Sequence, residues 1–426
     1  MKKDKKIKEK NNRKKHRFLK FLGGLFLVIL ILCLLAAAAN KFISINMNKY
    51  IDSFSAVENE HRLSPKKDSD NIYYFETDEE FKVMQLTDVH LGGGFLSIDE
   101  DKKAINAIAA MITAENPDLV IVTGDISFAV PYISGTINNS YAHDMFKHIM
   151  ENLGVYWTVT FGNHDSELYN YYGRQTVAKM YTDEKLKYCL FSTDDEISGE
   201  GNHHINVRNT KGFITETFYM IDTHSYTDKD PLGLMWDYDY VKEDQIEWYK
   251  KTVNNNKAYN AQIYNSLTNS QKEEYSELLS PKSLMFMHIP LREVKAAYDE
   301  YVNNGRQNTK NTEYIAGNNG EVDEVICCSR TDENLFETVE SLDSTTALFF
   351  GHDHLNNFLL NYRGIILAYG YSIDYLAYSG IDGEGYQRGC TVITCAPDGE
   401  AEITHENYYQ DKYPSKYEKE TVNMSK

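Results

Sequence analysis

No cysteine in this chain stands at the paired spacing of a zinc site. Beyond Cys33, the five that remain, Cys189, Cys327, Cys328, Cys390 and Cys395, are scattered or adjacent. That argues against a cysteine-held metal and, because five is odd, against a disulfide framework. Cys390 and Cys395 flank the apolar "TVIT" and read as core residues. No internal repeat of fixed period is present. The triple glycine Gly92 to Gly94 lacks the lysine of a phosphate-cradling loop and reads as a tight turn. The charge is split sharply along the chain. Residues 1–20 hold eleven Lys or Arg against Asp4 and Glu9, a net of +9, so the −19 of the whole chain leaves −28 for everything after Lys20. So acidic a body argues against nucleic-acid binding through a broad basic surface. It leaves room for an anionic substrate where bound metal ions invert the local field.

What the chain does have begins with residues 21–39, "FLGGLFLVILILCLLAAAA", nineteen residues without a charge. At the helical rise that length spans a bilayer core. Basic residues before it and an acidic body after it predict a cytoplasmic N-terminus and an exported body, by the positive-inside rule. A cleaved signal peptide is the competing reading, since the run ends in small residues; its length favours an uncleaved anchor. The expected organisation is therefore a basic cytoplasmic segment (1–20), a transmembrane anchor (21–39), a stalk (40–75) containing "SPKKDSDN", a catalytic domain (76–405) and a loose tail rich in Tyr, Lys and Glu (406–426). With 42% hydrophobic and 13% aromatic residues, the domain can bury a large core.

Along the domain, apolar runs alternate with amphipathic ones. "FKVMQL" reads as a strand. "SIDE" then fits a helix-capping box ahead of Ile105, Ile108 and Ile112 on one helical face. "PDLVIVTGD" is a second strand, a helix carries Phe146, Ile149 and Leu153, and "VYWTVTFGNHD" is a third. Strand, helix, strand, helix, strand predicts a parallel sheet with crossover helices. Further strands are expected at "TFYMIDTHS", "SLMFMH", "TALFFGHDH", "GIILAYG" and "GCTVITC". Residues 166–210, 259–281 and 296–332 read as polar insertions.

The apolar runs end in a common way: Asp88 and His90 in "DVH", Asp125 in "GD", Asn163, His164 and Asp165 in "GNHD", His288 in "MH", and His352, Asp353 and His354 in "GHDH". Open parallel sheets bind ligands off the carboxyl ends of their strands. Each motif alone is weak; all five in this order are not. Their order resembles that of the calcineurin-like metallophosphoesterases over roughly residues 81–395, and "FMHIPLREV" and "FFGHDHLNNFLL" look like a purple-acid-phosphatase-like branch of that superfamily. The resemblance implies an α/β fold of the α-β-β-α sandwich type with a dimetal site at strand ends. One departure stands out: where purple acid phosphatases have a tyrosine ligand to ferric iron, this chain has Phe128, so a ferric-tyrosinate colour is not expected.

Carried over residue by residue, the resemblance makes Asp125 the bridging ligand. Asp88, His90 and His354 complete one metal site, and Asn163, His288 and His352 the other. Two divalent ions so held can clamp a phosphate and activate a hydroxide for in-line attack. Mixed oxygen and imidazole donors suit manganese, iron or zinc better than calcium. His164 looks like the general acid, with Asp165 orienting its ring and raising its pKa. His143, His148, His203, His204 and His224 read as surface or satisfied core residues, while Asn356 and Asn357 are candidates for substrate contact.

The expected function is a membrane-anchored, extracytoplasmic phosphoesterase, with monoesters favoured on the branch resemblance. Phosphodiester substrates among nucleotides, lipids or wall polymers are the alternative, as are a metallo-β-lactamase-like hydrolase and a catalytically silent surface module. The implied partners are a phosphorylated small molecule or envelope substrate and the membrane itself. The residues do not indicate an oligomeric state.

Overall fold

The computed structural model describes residues 2–59, 62–320, 325–331, 334–378, 381 and 388–422. In chain order the elements are α1 (Lys2–Ile51), β1 (Lys66–Lys67), β2 (Tyr73–Glu76), β3 (Phe81–Leu86), α2 (Ile98–Glu115), β4 (Leu119–Thr123), α3 (Ser140–Leu153), β5 (Tyr156–Thr160), α4 (Arg174–Tyr181), β6 (His203–Arg208) and β7 (Ile214–Met220). There follow α5 (Glu243–Ser266), α6 (Asn269–Glu274), β8 (Lys282–Phe286), α7 (Arg292–Asn303), β9 (Thr312–Ala316), α8 (Leu335–Leu342), β10 (Thr345–Phe350), β11 (Leu359–Tyr362), β12 (Ile365–Tyr369), β13 (Gly389–Cys395) and β14 (Ala401–Asn407).

The strands form two mixed sheets, a five-stranded one in the order β14-β13-β3-β4-β5 and a nine-stranded one in the order β1-β2-β6-β7-β8-β10-β12-β11-β9. Strands β3, β4 and β5 run parallel, as do β7, β8, β10 and β12. The alternation of side chains explains why these strands read as continuous apolar runs. Phe81, Val83, Leu119 and Ile121 of one sheet meet Leu284, Phe286, Ala347 and Phe349 of the other in a core between the sheets. The intervening Met84, Leu86, Val120 and Val122 face α2 and α3, and Met285, Leu348 and Phe350 face the layer built by α5, α7 and α8. A strand covered on both faces has no polar alternation to show. The result is the α-β-β-α sandwich expected.

Three boundary expectations fail. The supposed stalk is structured: α1 runs on to Ile51, burying Met47 and Ile51 against α2 and α3, and β1 and β2 join the nine-stranded sheet. The supposed loose tail buries Tyr408 and Tyr413 in the same core, and the Lys416 amide donates to Asn106 Oδ1 at 3.1 Å. The first and third supposed insertions contain β6 and β9, both strands of the large sheet. The capping box is absent as well, because Ser97 Oγ bonds to Asp101 at 2.9 Å and does not cap α2.

Candidate metal centre

Strands β3, β4 and β5 of one sheet and β8 and β10 of the other end at a common edge, and each hands its polar tip to the same pocket. Donor atoms of Asp88, His90, Asp125 and His354 lie within 4.8 Å of one another, as do those of Asp125, His288 and His352, so Asp125 belongs to both groups. Asp125 Oδ2 is 3.3 Å from His90 Nε2 and 3.1 Å from His288 Nε2. Asn163 is aimed by Tyr226: its Nδ2 donates to the Tyr226 hydroxyl at 3.0 Å, which leaves Oδ1 3.2 Å from His288 Nε2.

The backbone is bent to achieve this. Asp88, His90, Asp125 and His352 have φ of 50°, 50°, 52° and 76°, in the left-handed region that side chains avoid. Close approach explains two glycines. A Cβ on Gly351 would sit 2.5 Å from Asp88 Oδ2, and one on Gly162 would sit 2.1 Å from Asp125 Oδ1. The glycine before "HDH" is therefore where the two sheets' ligand loops meet.

Several buried polar atoms here have no hydrogen-bond partner among the described residues. Both ring nitrogens of His90, Asp125 Oδ2, His352 Nε2 and His354 Nδ1 are buried without a hydrogen bond. Unpaired buried polar atoms are costly; the two Nδ1 atoms face the Asp374 carboxylate, while His90 Nε2, Asp125 Oδ2 and His352 Nε2 converge on one pocket and fit cations of the expected oxygen and imidazole preference. The electrostatics agree. Burial opposes a charged ring on His288, yet the Asp125 and Asp88 carboxylates push it up to about 9. His90 is likewise raised against its burial, by Asp374, Asp125 and Asp88. Burial opposes ionisation of Asp125 too, and His288 and His164 hold it well below the usual carboxylate range. The pocket calls for positive charge.

Asp374 was not foreseen. Its carboxylate lies 3.5 Å from His354 Nδ1 and 3.8 Å from His90 Nδ1, accepts amide bonds from Leu376, Ala377 and Tyr378 at 2.7 Å each, and is drawn to about 2 by those histidines in spite of burial. A carboxylate behind a ligating imidazole fixes its tautomer and orientation. His288 has a different orienter, since its Nδ1 donates to the Thr123 carbonyl at 2.8 Å. Asp374 follows β12 just as the foreseen ligands follow their strands; its sequence signal is an acid a few residues past an apolar run.

The expected role of Asp165 is corrected. Its Oδ1 accepts the amides of Ile126 and Ser127, and its Oδ2 those of Asp125 and Gly162, all at 2.8 to 3.0 Å. It braces the loop that carries Asp125 and does not touch the His164 ring. Glu167 does, with Oε1 2.7 Å from His164 Nδ1. Residues 164–166 form a 3-10 turn, in which side chains three apart eclipse and adjacent ones diverge. His164 itself is 25% exposed at the mouth of the pocket, and against its burial Asp125 and Glu167 raise its pKa.

Phe128 packs its ring against His90 and His164, with centroids 5.3 Å and 5.0 Å away, and supplies no donor. Asn356 and Asn357 are buried, and their side-chain carbonyls accept the amides of Gly320 and Asn318. His203 is a satisfied core residue between Thr158 Oγ1 and the Gly201 carbonyl. The Gly92 and Gly93 amides are taken by Asp101, which leaves no phosphate cradle there. A cavity of about 640 Å³ adjoins the centre through Tyr238, whose ring meets His352 at 4.5 Å, and is lined further by Trp236, Arg292, Lys295 and Arg330.

"Probable inactive purple acid phosphatase 28" of Arabidopsis thaliana is 24% identical, covering 75% of this chain and 77% of its own length. "Probable inactive purple acid phosphatase 29" of the same plant is 26% identical with the same coverage. "Phosphatase DCR2" of Saccharomyces cerevisiae is 26% identical over 67% of this chain and 46% of its own length. Among solved structures, a dimetal phosphatase from Danio rerio covers 78% of this chain and 98% of its own with a TM-score of 0.48 and 11% identity. Residues 81–356 match the calcineurin-like phosphoesterase family, more than half of the chain, and the protein belongs to that family.

Proposed function

We propose that the protein is a membrane-anchored, extracytoplasmic phosphoesterase acting on phosphate monoesters. The observation that carries the reading is the two donor groups joined at Asp125, with His164 at their open edge. Asp88, His90, Asp125 and His354 would hold one cation, and Asp125, Asn163, His288 and His352 the other. When bound, the pair would supply Lewis-acid stabilisation of the phosphoryl oxygens and an activated water for in-line attack. His164 then gives a proton to the departing alkoxide, with Glu167 holding the ring and favouring its charged form. Asp374 fixes the rings of His90 and His354, and Phe128 keeps water from one side of His90 and His164. The anchor reading rests on α1, whose most apolar window lies wholly outside the domain core and is long enough to cross a bilayer. Manganese, iron or zinc suits the donors.

A silent module is the second reading, favoured by the "probable inactive" names of the Arabidopsis relatives. Against it, every position of the family pattern is occupied in this chain. The deciding experiment strips the full-length protein of metal and titrates Mn²⁺, Fe²⁺ and Zn²⁺ while following para-nitrophenyl phosphate and its bis ester. Metal-restored turnover, preferring the monoester and collapsing in His164→Ala and Asp125→Ala, is expected. Two bound ions without turnover of either ester would favour the silent module.

A further inference from the structure

The apolar run does not join the domain through a flexible segment. Asn40, the first residue after it, is 4% exposed; its Nδ2 donates to the Gly135 carbonyl at 3.1 Å and its Oδ1 accepts the Phe95 amide at 3.0 Å. From there α1 stays helical and packed on the domain to Ile51. At the helical rise, residues 21–39 cover about 28 Å, close to the hydrocarbon thickness of a bilayer. With that run in the membrane, Asn40 and the two loops bonded to it stand at the lipid headgroups.

Those loops present the side chains that such a position calls for. Phe95, Leu96, Tyr132 and Ile137 are 40%, 51%, 81% and 44% exposed, and Tyr171, whose amide donates to the Ile137 carbonyl, is 67% exposed. The loops are stitched together: the Leu96 amide donates to Ser134, and the Phe95 ring lies over Gly135. Grouped exposed apolar and aromatic residues are unusual on a face turned to water, and expected at a membrane interface.

The same loops carry the centre. Phe95 lies five residues beyond His90, a distance of at most about 18 Å along the chain. Tyr132 lies four beyond Phe128, which touches His90 and His164, so about 14 Å at most. The third loop, from His164 to Tyr171, is tied to the second by the Asn170 side chain on the Ala129 carbonyl. The metal centre therefore stands within about 20 Å of the membrane plane.

We infer that the face formed by Phe95, Leu96, Tyr132, Ile137 and Tyr171 seats on the bilayer that holds α1, and that the centre takes a phosphate monoester held in that bilayer, a lipid phosphate. The inference rests on the anchored-phosphoesterase reading above. Because the body is strongly acidic, the seating is apolar and aromatic, and it persists in high salt where an electrostatic contact would not.

Two measurements on the full-length protein in phosphatidylcholine vesicles test it. In the first, Tyr132→Trp and, on the far edge strand β9, Tyr314→Trp are compared in vesicles whose lipids are brominated near the headgroup. Emission above the parent background should be quenched for the first and not for the second; equal quenching, or none at Tyr132→Trp, overturns the seating whatever the activity. In the second, vesicles doped with phosphatidate are compared with soluble glycerol 3-phosphate and para-nitrophenyl phosphate. The double variant Leu96→Glu, Tyr132→Glu should keep its soluble-ester turnover and lose roughly tenfold or more on phosphatidate. Undiminished phosphatidate turnover, or equal loss on all substrates, sinks the membrane-held substrate while leaving the phosphoesterase reading intact. Failure of the parent on every ester with any metal removes the phosphoesterase reading instead, and the quenching result still decides the seating.

Discussion

His164 opens a 3-10 turn of three residues and Glu167 follows directly after it, and that spacing of three assigns the carboxylate to the imidazole where simple adjacency would name Asp165. The two acids should therefore fail differently. Glu167→Gln leaves the fold intact but weakens proton delivery, so hydrolysis of alkyl phosphates should fall by about 10- to 100-fold, while para-nitrophenyl phosphate, whose leaving group needs no proton, changes little. Equal loss on both esters would remove Glu167 from that role. Asp165→Asn keeps the shape but can accept on one oxygen only, leaving two of the four backbone amides it now serves unpaired. Roughly 2 to 6 kcal/mol of stability should go, read as a lowered urea midpoint. His203 adds a pH dependence. Burial pulls it down to about 4, while its Nδ1 donates to the Gly201 carbonyl and the Thr158 hydroxyl meets its Nε2. Between the ordinary value of 6.5 and about 4 the unfolded chain binds more protons than the folded one, so stability falls as pH drops through that window. The shift corresponds to roughly 3 kcal/mol. The melting temperature of His203→Gln should fall less steeply than the parent's from pH 6.5 to 4; parallel curves would show that the ring is not the source.

At the scale of elements, the strands that bear the centre were legible because both their faces are covered, so β3, β4, β5, β8 and β10 appear as unbroken apolar runs ending in polar tips. What escaped did so for physical reasons. Strand β6, "HHINVR", carries polar side chains satisfied inside the fold: Asn206 Oδ1 accepts from Thr217 Oγ1 at 2.9 Å, and Arg208 pairs with Asp68 at 2.7 Å while stacking on Tyr74. Pattern reading counts such residues as loop. The final segment reads as loose because its buried residues are sparse, yet Tyr413 is 1% exposed and its hydroxyl donates to Glu115 Oε1. Tyr413→Ala should cost about 3 to 5 kcal/mol, as for other large core aromatics. An unchanged denaturation midpoint would restore the loose-tail reading. Asp374 and Glu167 escaped for a third reason: both act on rings distant from or oddly spaced against them, and only the folded chain brings them together.

For the molecule as a whole, the centre lies where two sheets meet. Asp88, His90, Asp125 and Asn163 come from the ends of the five-stranded sheet, and His288, His352 and His354 from the nine-stranded one. Cations held there would tie the two halves of the sandwich together at that edge, opposite in sign to the carboxylates that raise His90 and His288. Four ligand residues with positive φ add strain of order 1 kcal/mol or more each, which the unloaded fold carries uncompensated. Metal should therefore act as a folding ligand: the melting temperature of the stripped protein should rise with the logarithm of added Mn²⁺ once its dissociation constant is passed. Asp374→Asn gives the sharper test, because the amide can still accept the Leu376 and Ala377 amides through one oxygen but no longer presents charge to His90 and His354. Apparent metal affinity at one of the two sites should weaken by about 10- to 100-fold, with the second site unchanged, in a calorimetric titration. Equal weakening of both sites would mean that Asp374 supports the whole edge and not the His90–His354 pair, and an unaltered titration would remove it from the centre altogether.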